Sequence, residues 1–326
     1  MKINLTNLQS IVITPDEVAR RIDNFLRSKF KKIPKSLFYR LLRQGKIMVN
    51  KRSVNPAYKL KLGDKVYFPL ITSVKNKAPV VSTRLVNQIA TAVLYEDDDI
   101  LAINKPSGLA VHGGSYLSFG VIEVLRILLP DYDFLELVHR LDRDTSGILL
   151  IAKKRSVLRS LHEQFRLQKV KKYYLALVCG VWASEINIVH VPLLKNVMKN
   201  GERMVCVSDQ GKHSKTYFKI EEQFSQTTLM RVTPVTGRTH QIRVHAKYAG
   251  YPIAFDERYG DKEFNSKIAN LGLKRLFLHA SVMIFNHPKS NEKICLTAPL
   301  HEELKQCLLY LRQNKSLNTT TQDSRS

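Results

Sequence analysis

The segment from Phe134 to Ala152 constrains this chain more than any other. Phe134-Leu135-Glu136-Leu137-Val138 and Ile148-Leu149-Leu150-Ile151-Ala152 are short apolar runs of the length and composition of core strands. Between them, residues 139–147 place eight polar or turn-forming residues in nine positions. Loops pinned between rigid strands are where binding and catalytic groups concentrate. Thr145, Ser146 and Gly147 form turns and local hydrogen bonds able to hold the preceding carboxylates, Asp142 and Asp144. On spacing alone, the segment serves equally as a well-capped turn carrying surface ion pairs.

The surrounding sequence, from Ala92 onward, has the texture of many short strands. Expected strands are Val93–Tyr95, Ile100–Ile103, Phe134–Val138, Ile148–Ala152, Tyr173–Val178, Thr216–Ile220, Thr228–Thr233 and Ser281–Phe285. Helices are expected over Gly120–Leu128, Ser156–Gln168, Thr239–Tyr248 and His301–Asn314. This is an α+β pattern with little strict βαβ alternation, which points to a mixed, largely antiparallel sheet with flanking helices. Residues 315–326 lack periodic apolar positions and are expected to be a disordered tail.

The first 70 residues read differently. Ile22, Phe25, Leu26 and Phe30 recur at helical spacing, as do Leu37, Phe38, Leu41 and Leu42 after Pro34, and Gly45 ends the second helix. A short strand at Lys46–Asn50 runs into a turn at Lys51-Arg52-Ser53, and Leu62-Gly63-Asp64 turns into a last strand, Lys65–Phe68. Residues 71–90 show no clear periodicity and read as a linker that lets the small domain pivot. The expected division is therefore 1–70, a linker at 71–90, 91–314 and the tail at 315–326.

Charge narrows the function classes. The 326 residues hold 52 Lys and Arg against 28 Asp and Glu, a formal net charge of +24. Residues 1–70 carry 16 Lys and Arg but four Asp and Glu, so half of the excess sits in about a fifth of the chain. Such concentration points to a polyanion, nucleic acid above all, since no basic amphipathic helix with a large aromatic face suits an acidic membrane. No apolar run approaches the ~18–20 residues of a membrane span, and Met1-Lys2-Ile3-Asn4-Leu5 opens no secretory signal, so a cytoplasmic location is expected. Cys179, Cys206, Cys295 and Cys307 show no short C-x-x-C spacing and read as scattered reduced thiols.

Specific motifs sharpen this reading. The two helices, the strand at Gly45-Lys46, Val49-Asn50-Lys51 and Gly63-Asp64 resemble an S4 RNA-binding domain over roughly residues 18–69. That resemblance implies that Lys35, Arg40, Arg43, Lys46, Lys51 and Arg52 face RNA phosphates; the plainer alternative is a set of solvated helix faces. His139-Arg140-Leu141-Asp142, followed by Thr145-Ser146-Gly147, resembles the signature around the catalytic aspartate of the RluA-type pseudouridine synthases. Three further stretches resemble motifs of the same family in the same order. They are Ile103–His112, Lys172–Val178 with its Lys-x-Tyr, and Thr236–His245. Val111–Ser115, Pro192–Asn196 and Ala254–Gly260 narrow the resemblance to members acting on large-subunit (23S) ribosomal RNA.

The resemblance implies an isomerase that cuts the N1–C1′ bond of a uridine, turns the base and rejoins it through C5, with no cofactor and no metal. Asp142 would be the essential carboxylate, as nucleophile or as the base removing a ribose proton. Arg243 would pair with it and keep it ionised away from water. Tyr174 would stack on the uracil or take the C5 proton; otherwise it is an ordinary core aromatic. Arg140 would fill the space left by the extruded base. His139, His240 and His245 are assigned hydrogen-bonding or packing roles, and Lys105 and Arg238 structural or phosphate-facing ones. The implied partner is large-subunit ribosomal RNA, bound by a monomer. Two rival classes explain less. A non-catalytic ribosome-assembly factor accounts for the charge but not for a carboxylate, a tyrosine and an arginine each in its own motif. A metal-dependent ribonuclease needs more converging acids than Asp142 and Asp144.

Overall fold

The computed structural model describes all residues except Met1, 31–34, 73–80, 114–118, 198–202 and 324–326, without side chains at 2–7, 35–36, 70–72, 196–197, 203 and 315–323. The chain divides into two units, 1–80 and 81–326.

The first unit holds β1 (Lys2–Val12), α1 (Ile22–Lys29), α2 (Lys35–Arg43), β2 (Met48–Val49), β3 (Arg52–Ser53) and β4 (Lys65–Thr72). Its strands form an antiparallel sheet in the order β1-β4-β2-β3. The helical apolar stripes meet as their spacing requires. Ile22, Phe25 and Leu26 from α1 and Phe38, Leu41 and Leu42 from α2 are buried together with Ile47, Leu60, Val66 and Phe68. Gly45 follows α2 with φ +65°, the left-handed conformation that a helix end favours and that glycine adopts without strain. Strand β1 lies where the sequence pattern suggests no element.

The second unit begins with α3 (Thr83–Ala90), β5 (Val93–Glu96), β6 (Ile100–Lys105), α4 (Val121–Leu128), β7 (Glu136–Leu137), β8 (Ser146–Ala152), α5 (Arg155–Arg166) and β9 (Lys171–Cys179). It continues with β10 (Ile188–His190), β11 (Leu193–Val197), β12 (Arg203–Val207), β13 (Lys215–Gln223), β14 (Thr227–Pro234), α6 (Gln241–Tyr248), α7 (Lys262–Ala269), β15 (Leu278–Asn286), β16 (Lys293–Thr297) and α8 (Glu302–Asp323). Ten strands form one sheet in the order β10-β13-β14-β9-β15-β8-β6-β5, with β7 on β8 and β16 on β15. Among the described residues only the β8–β15 pairing is parallel, so the sheet is mixed and largely antiparallel as expected. Strands β6 and β8 are buried along their whole length because both faces of the sheet are covered. Leu101, Ile103, Leu149 and Ile151 face one core with α4, while Ile100, Ala102, Ile148 and Leu150 face another with Val157 and Leu161 of α5. A third core joins Leu177, Leu229 and Phe277 to α7 and α8. β11 and β12 pair separately as a hairpin.

Two expectations need correction. Residues 71–90 are not a structureless linker throughout. Thr83–Ala90 is α3, capped by the Ser82 hydroxyl, which accepts from the Leu85 N–H. Leu85, Val86 and Ile89 lie on the core that α4 also covers, and burial of this short stripe stabilises a helix too brief to persist alone. At the other end α8 continues to Asp323, beyond the last periodic apolar residue, where a disordered tail was expected. Adding turns to an existing helix avoids the cost of a new nucleus.

The glycine at the end of the polar loop is a constraint of its own. Gly147 has φ +108°, and a Cβ there would lie 2.3 Å from the Ala280 carbonyl oxygen and 2.6 Å from its nitrogen, across the parallel pairing. We expect Gly147→Ala to destabilise the protein by about 2 kcal/mol or more, from overpacking against backbone and from a strained φ. Urea unfolding at unchanged m-value measures this; an unchanged midpoint would show that β8 and β15 can separate without cost.

Candidate active site

The polar loop between β7 and β8 is held from below. Lys105, fully buried at the end of β6, donates its three ammonium protons to the carbonyl oxygens of Pro106 (2.8 Å), Leu109 (2.9 Å) and Arg143 (3.0 Å). Burial pulls its pKa down to about 7, against the opposing charges of Asp144 and Asp142. The Ser107 hydroxyl donates to the Asp144 carbonyl at 2.6 Å, and the Gly108 N–H to that of Arg143 at 2.9 Å. The Thr145 N–H closes a turn onto the Asp142 carbonyl at 3.2 Å. So constrained, the loop buries Leu141 and turns Asp144 outward, where its carboxylate accepts from Arg143 Nε at 3.0 Å. Asp142 points the other way, with its side chain 29% exposed, into a cavity of about 400 Å³.

Helix α6 supplies the opposite wall. Arg243, in its first turn, is 4% exposed and donates from Nε and Nη2 to the two carboxylate oxygens of Asp256, both at 2.7 Å. Asp256 is buried too and accepts from the backbone N–H groups of Arg258 and Tyr259, both at 3.0 Å. Burial pushes the Asp256 carboxyl upward, yet the hydrogen bonds and charge of Arg243 hold it below its ordinary value. The remaining guanidinium nitrogen, Nη1, stands 3.8 Å from Asp142 Oδ2. The expected pairing of Arg243 with Asp142 is thus corrected in its details: Asp256 is the close partner, and Asp142 the one that a single free nitrogen approaches.

Two aromatic residues and a second donor complete the centre. Tyr174 on β9 is buried in the main core and lines the cavity; burial first, and the Asp142 charge second, raise its pKa well above the ordinary phenol. Its neighbour Tyr173 lines a separate groove on the other side of the sheet, as strand alternation requires. The Nε2 atom of His240 lies 3.9 Å from Asp142 Oδ2, and its Nδ1 is 2.8 Å from the Tyr259 hydroxyl. Lys172 also lines the cavity, 5.7 Å from the Phe165 ring, and burial lowers its pKa.

Other residues singled out from the sequence fall into place around this centre. Arg140 is exposed at the cavity rim, and Arg238 on the rim donates from Nε to the His213 carbonyl at 3.1 Å. The His139 Nε2 accepts from the Leu150 N–H at 3.1 Å and its ring stacks on Phe165; burial holds it neutral, with a pKa of about 3. His245 is buried against the Ser214 hydroxyl at 2.9 Å. The first unit presents Arg40, Arg43, Lys51 and Arg52 to solvent and Lys46 half-buried, while the side chain of Lys35 lies outside the described residues. Among the described residues no three of His, Cys, Asp or Glu stand together as a metal cluster would.

Sequence reasoning missed Asp256 and Tyr259 and gave Lys172 no role. The signal for Asp256 was present in Phe255-Asp256-Glu257-Arg258-Tyr259, an acid in an aromatic turn, but nothing in one dimension tied it to Arg243.

Comparison with known proteins places the chain in a family. Residues 99–248 match the family described as RNA pseudouridylate synthase, and residues 20–66 match the S4 domain. The ribosomal large subunit pseudouridine synthase C of Salmonella typhimurium is 55% identical over 319 residues, covering 97% of this chain and all of that one. The protein of the same name from Escherichia coli K12 is 56% identical over 316 residues, 96% of this chain and 99% of that one. Among solved structures, human RNA pseudouridylate synthase domain containing 4 superposes with a TM-score of 0.59 at 26% identity, over 70% of this chain and 96% of that one. Human RNA pseudouridylate synthase domain containing 1 gives 0.55 at 25% identity, over 66% and 86%. With its S4 domain ahead of the synthase domain, the chain belongs to the RluA-type RNA pseudouridylate synthases, an isomerase family.

Proposed function

We propose that this enzyme converts specific uridines of large-subunit (23S) ribosomal RNA to pseudouridine, with Asp142 as the reacting carboxylate. The observation that carries the substrate is the identity of 55–56%, across nearly the full chain, with enzymes named for the ribosomal large subunit. The chemistry rests on a carboxylate that reaches a basic cavity between a buried arginine and a buried tyrosine.

In this reading Asp142 attacks the target nucleotide or removes its ribose proton, and Arg243 Nη1 offsets the negative charge as water is excluded. Tyr174, which lines the cavity, stacks on the uracil. Arg140, exposed at the rim, is free to enter the stack that the extruded base leaves. No helix of the described residues is long and apolar enough to cross a membrane, and an enzyme of ribosomal RNA works in the cytoplasm. It acts as a monomer, without a cofactor.

The first unit grips RNA through phosphate. Three of its four carboxylates are consumed internally. Glu17 binds Lys29, Asp23 accepts from Arg21 and from the Tyr39 hydroxyl, and Asp64 accepts from Asn50 and Tyr58. Arg40, Arg43, Lys46, Lys51 and Arg52 form no ion pair among the described residues, and with Lys35 they are the proposed phosphate-binding groups.

Asp142→Asn is expected to abolish pseudouridine formation while RNA affinity changes by less than about threefold, since phosphate binding supplies most of the affinity. Base-specific chemical labelling of large-subunit RNA from a deletion strain complemented with each variant reads this out. Pseudouridine restored by Asp142→Asn would refute the carboxylate assignment, and a map unaffected by deletion would refute the substrate. Removing residues 1–80 is expected to weaken RNA binding and flatten its salt dependence by roughly 0.9 log–log units for each duplex phosphate that the shortened protein no longer neutralises. Titration at several salt concentrations measures the slope; an unchanged slope would deny the unit its electrostatic role.

A further inference from the structure

His240 stands where a side chain is poorly accommodated. It caps α6 with φ 53° and ψ 20°, the left-handed conformation that costs a residue with a Cβ roughly 1 kcal/mol or more. Glycine or asparagine is the usual occupant of such a position. The strained backbone sets the ring in the cavity wall, 11% exposed, between Tyr259 and Asp142.

The hydrogen bonds around Tyr259 decide which ring nitrogen carries the proton. The Tyr259 hydroxyl oxygen accepts from the Val205 N–H at 3.0 Å, on the hairpin strand β12. Its single proton is then left to donate, and the neighbour within reach is His240 Nδ1 at 2.8 Å. Nδ1 is therefore an acceptor, and the ring proton lies on Nε2, which faces Asp142 Oδ2. Arg243 Nη1 approaches the same oxygen, at 3.8 Å against 3.9 Å for His240. Both distances are beyond hydrogen bonding in the free enzyme and within the small closure that brings catalytic groups together around a substrate.

We propose that His240 is a positioning residue for Asp142. With its proton held on Nε2 by Tyr259, it joins Arg243 in holding the carboxylate through Oδ2, so that Asp142 meets the target nucleotide in one orientation. Tyr259 is the element that links the β11–β12 hairpin to this arrangement. Its ring packs with Leu193, Val205 and Val244, lies 5.1 Å from the Arg243 guanidinium carbon, and bonds the hairpin backbone and His240 through one oxygen. The inference rests on Asp142 being the reacting carboxylate.

The tautomer is tested on the unaltered enzyme. Two-dimensional ¹H–¹⁵N correlation through the imidazole carbons of full-length protein is expected to show His240 protonated at Nε2, and mixed forms in Tyr259→Phe. A proton on Nδ1 in the wild type would overturn the proposal without any variant. The catalytic effect is read from single-turnover release of tritium from C5-tritiated large-subunit RNA transcript, together with its Kd. His240→Phe, which keeps a ring but has no donor, should slow the step about 10- to 100-fold with Kd changed less than about twofold. His240→Gln, whose amide nitrogen reaches the place of Nε2, should recover most of that rate, and Tyr259→Phe should fall between them. A wild-type rate for His240→Phe, or equally slow His240→Phe and His240→Gln, would overturn the positioning role while an inactive Asp142→Asn left the carboxylate assignment standing. Turnover by Asp142→Asn would instead remove the assignment on which the proposal rests.

Discussion

The buried pair of Arg243 and Asp256 is the interaction on which the candidate active site depends. A guanidinium in the first turn of a helix opposes the helix dipole, and burying it costs several kcal/mol more. Asp256 offsets both, because its two oxygens accept both parallel guanidinium bonds and two backbone N–H groups. Removing one partner of such a pair costs about 3–5 kcal/mol because the other is left charged and buried. What the pair achieves is geometry. It fixes the start of α6, and with it the direction of Arg243 Nη1 and His240 Nε2, which stand 3.8 and 3.9 Å from Asp142 Oδ2.

The loop bearing Asp142 is set by a different kind of constraint. Two central strands are buried on both faces, so neither can slip without exposing a row of apolar side chains. Gly147 brings β15 against the end of the loop more closely than any side chain allows, and Lys105 ties three carbonyls beneath it. The result is that two carboxylates two residues apart have opposite fates, Asp144 in solvent with Arg143 and Asp142 in the cavity.

The first unit applies electrostatics less specifically. Three of its four acids are spent on internal bonds, two of them with Lys29 and Arg21, while Arg40, Arg43, Lys51 and Arg52 are left to solvent. Such a surface suits a backbone of repeated phosphates, where each cation is individually replaceable. The cavity of the second unit works by the opposite logic, with few groups, each fixed by several bonds.

Much of this was legible in one dimension. Helical stripes at Ile22–Phe30 and Leu37–Leu42 and the two apolar runs around the polar loop follow from local spacing, because period and turn chemistry are local properties, whereas Asp142, Tyr174 and Arg243 stand out only through the motifs that resemble the family. Strands β10, β11, β12 and β16 and helices α3 and α7 escaped that reading, since short elements owe their stability to neighbours that lie far off in the chain. The same reason separates what each level decided about the site. The sequence by itself determined which residues are candidates for the chemistry and that the chain is strongly basic. Only the tertiary structure decided that Arg243 belongs first to Asp256, that Asp144 turns away from the cavity, and that Tyr259 reaches His240 and Val205 with one hydroxyl. Those pairings join elements distant in sequence, and a buried polar group takes whichever partner the packed core leaves within about 3 Å.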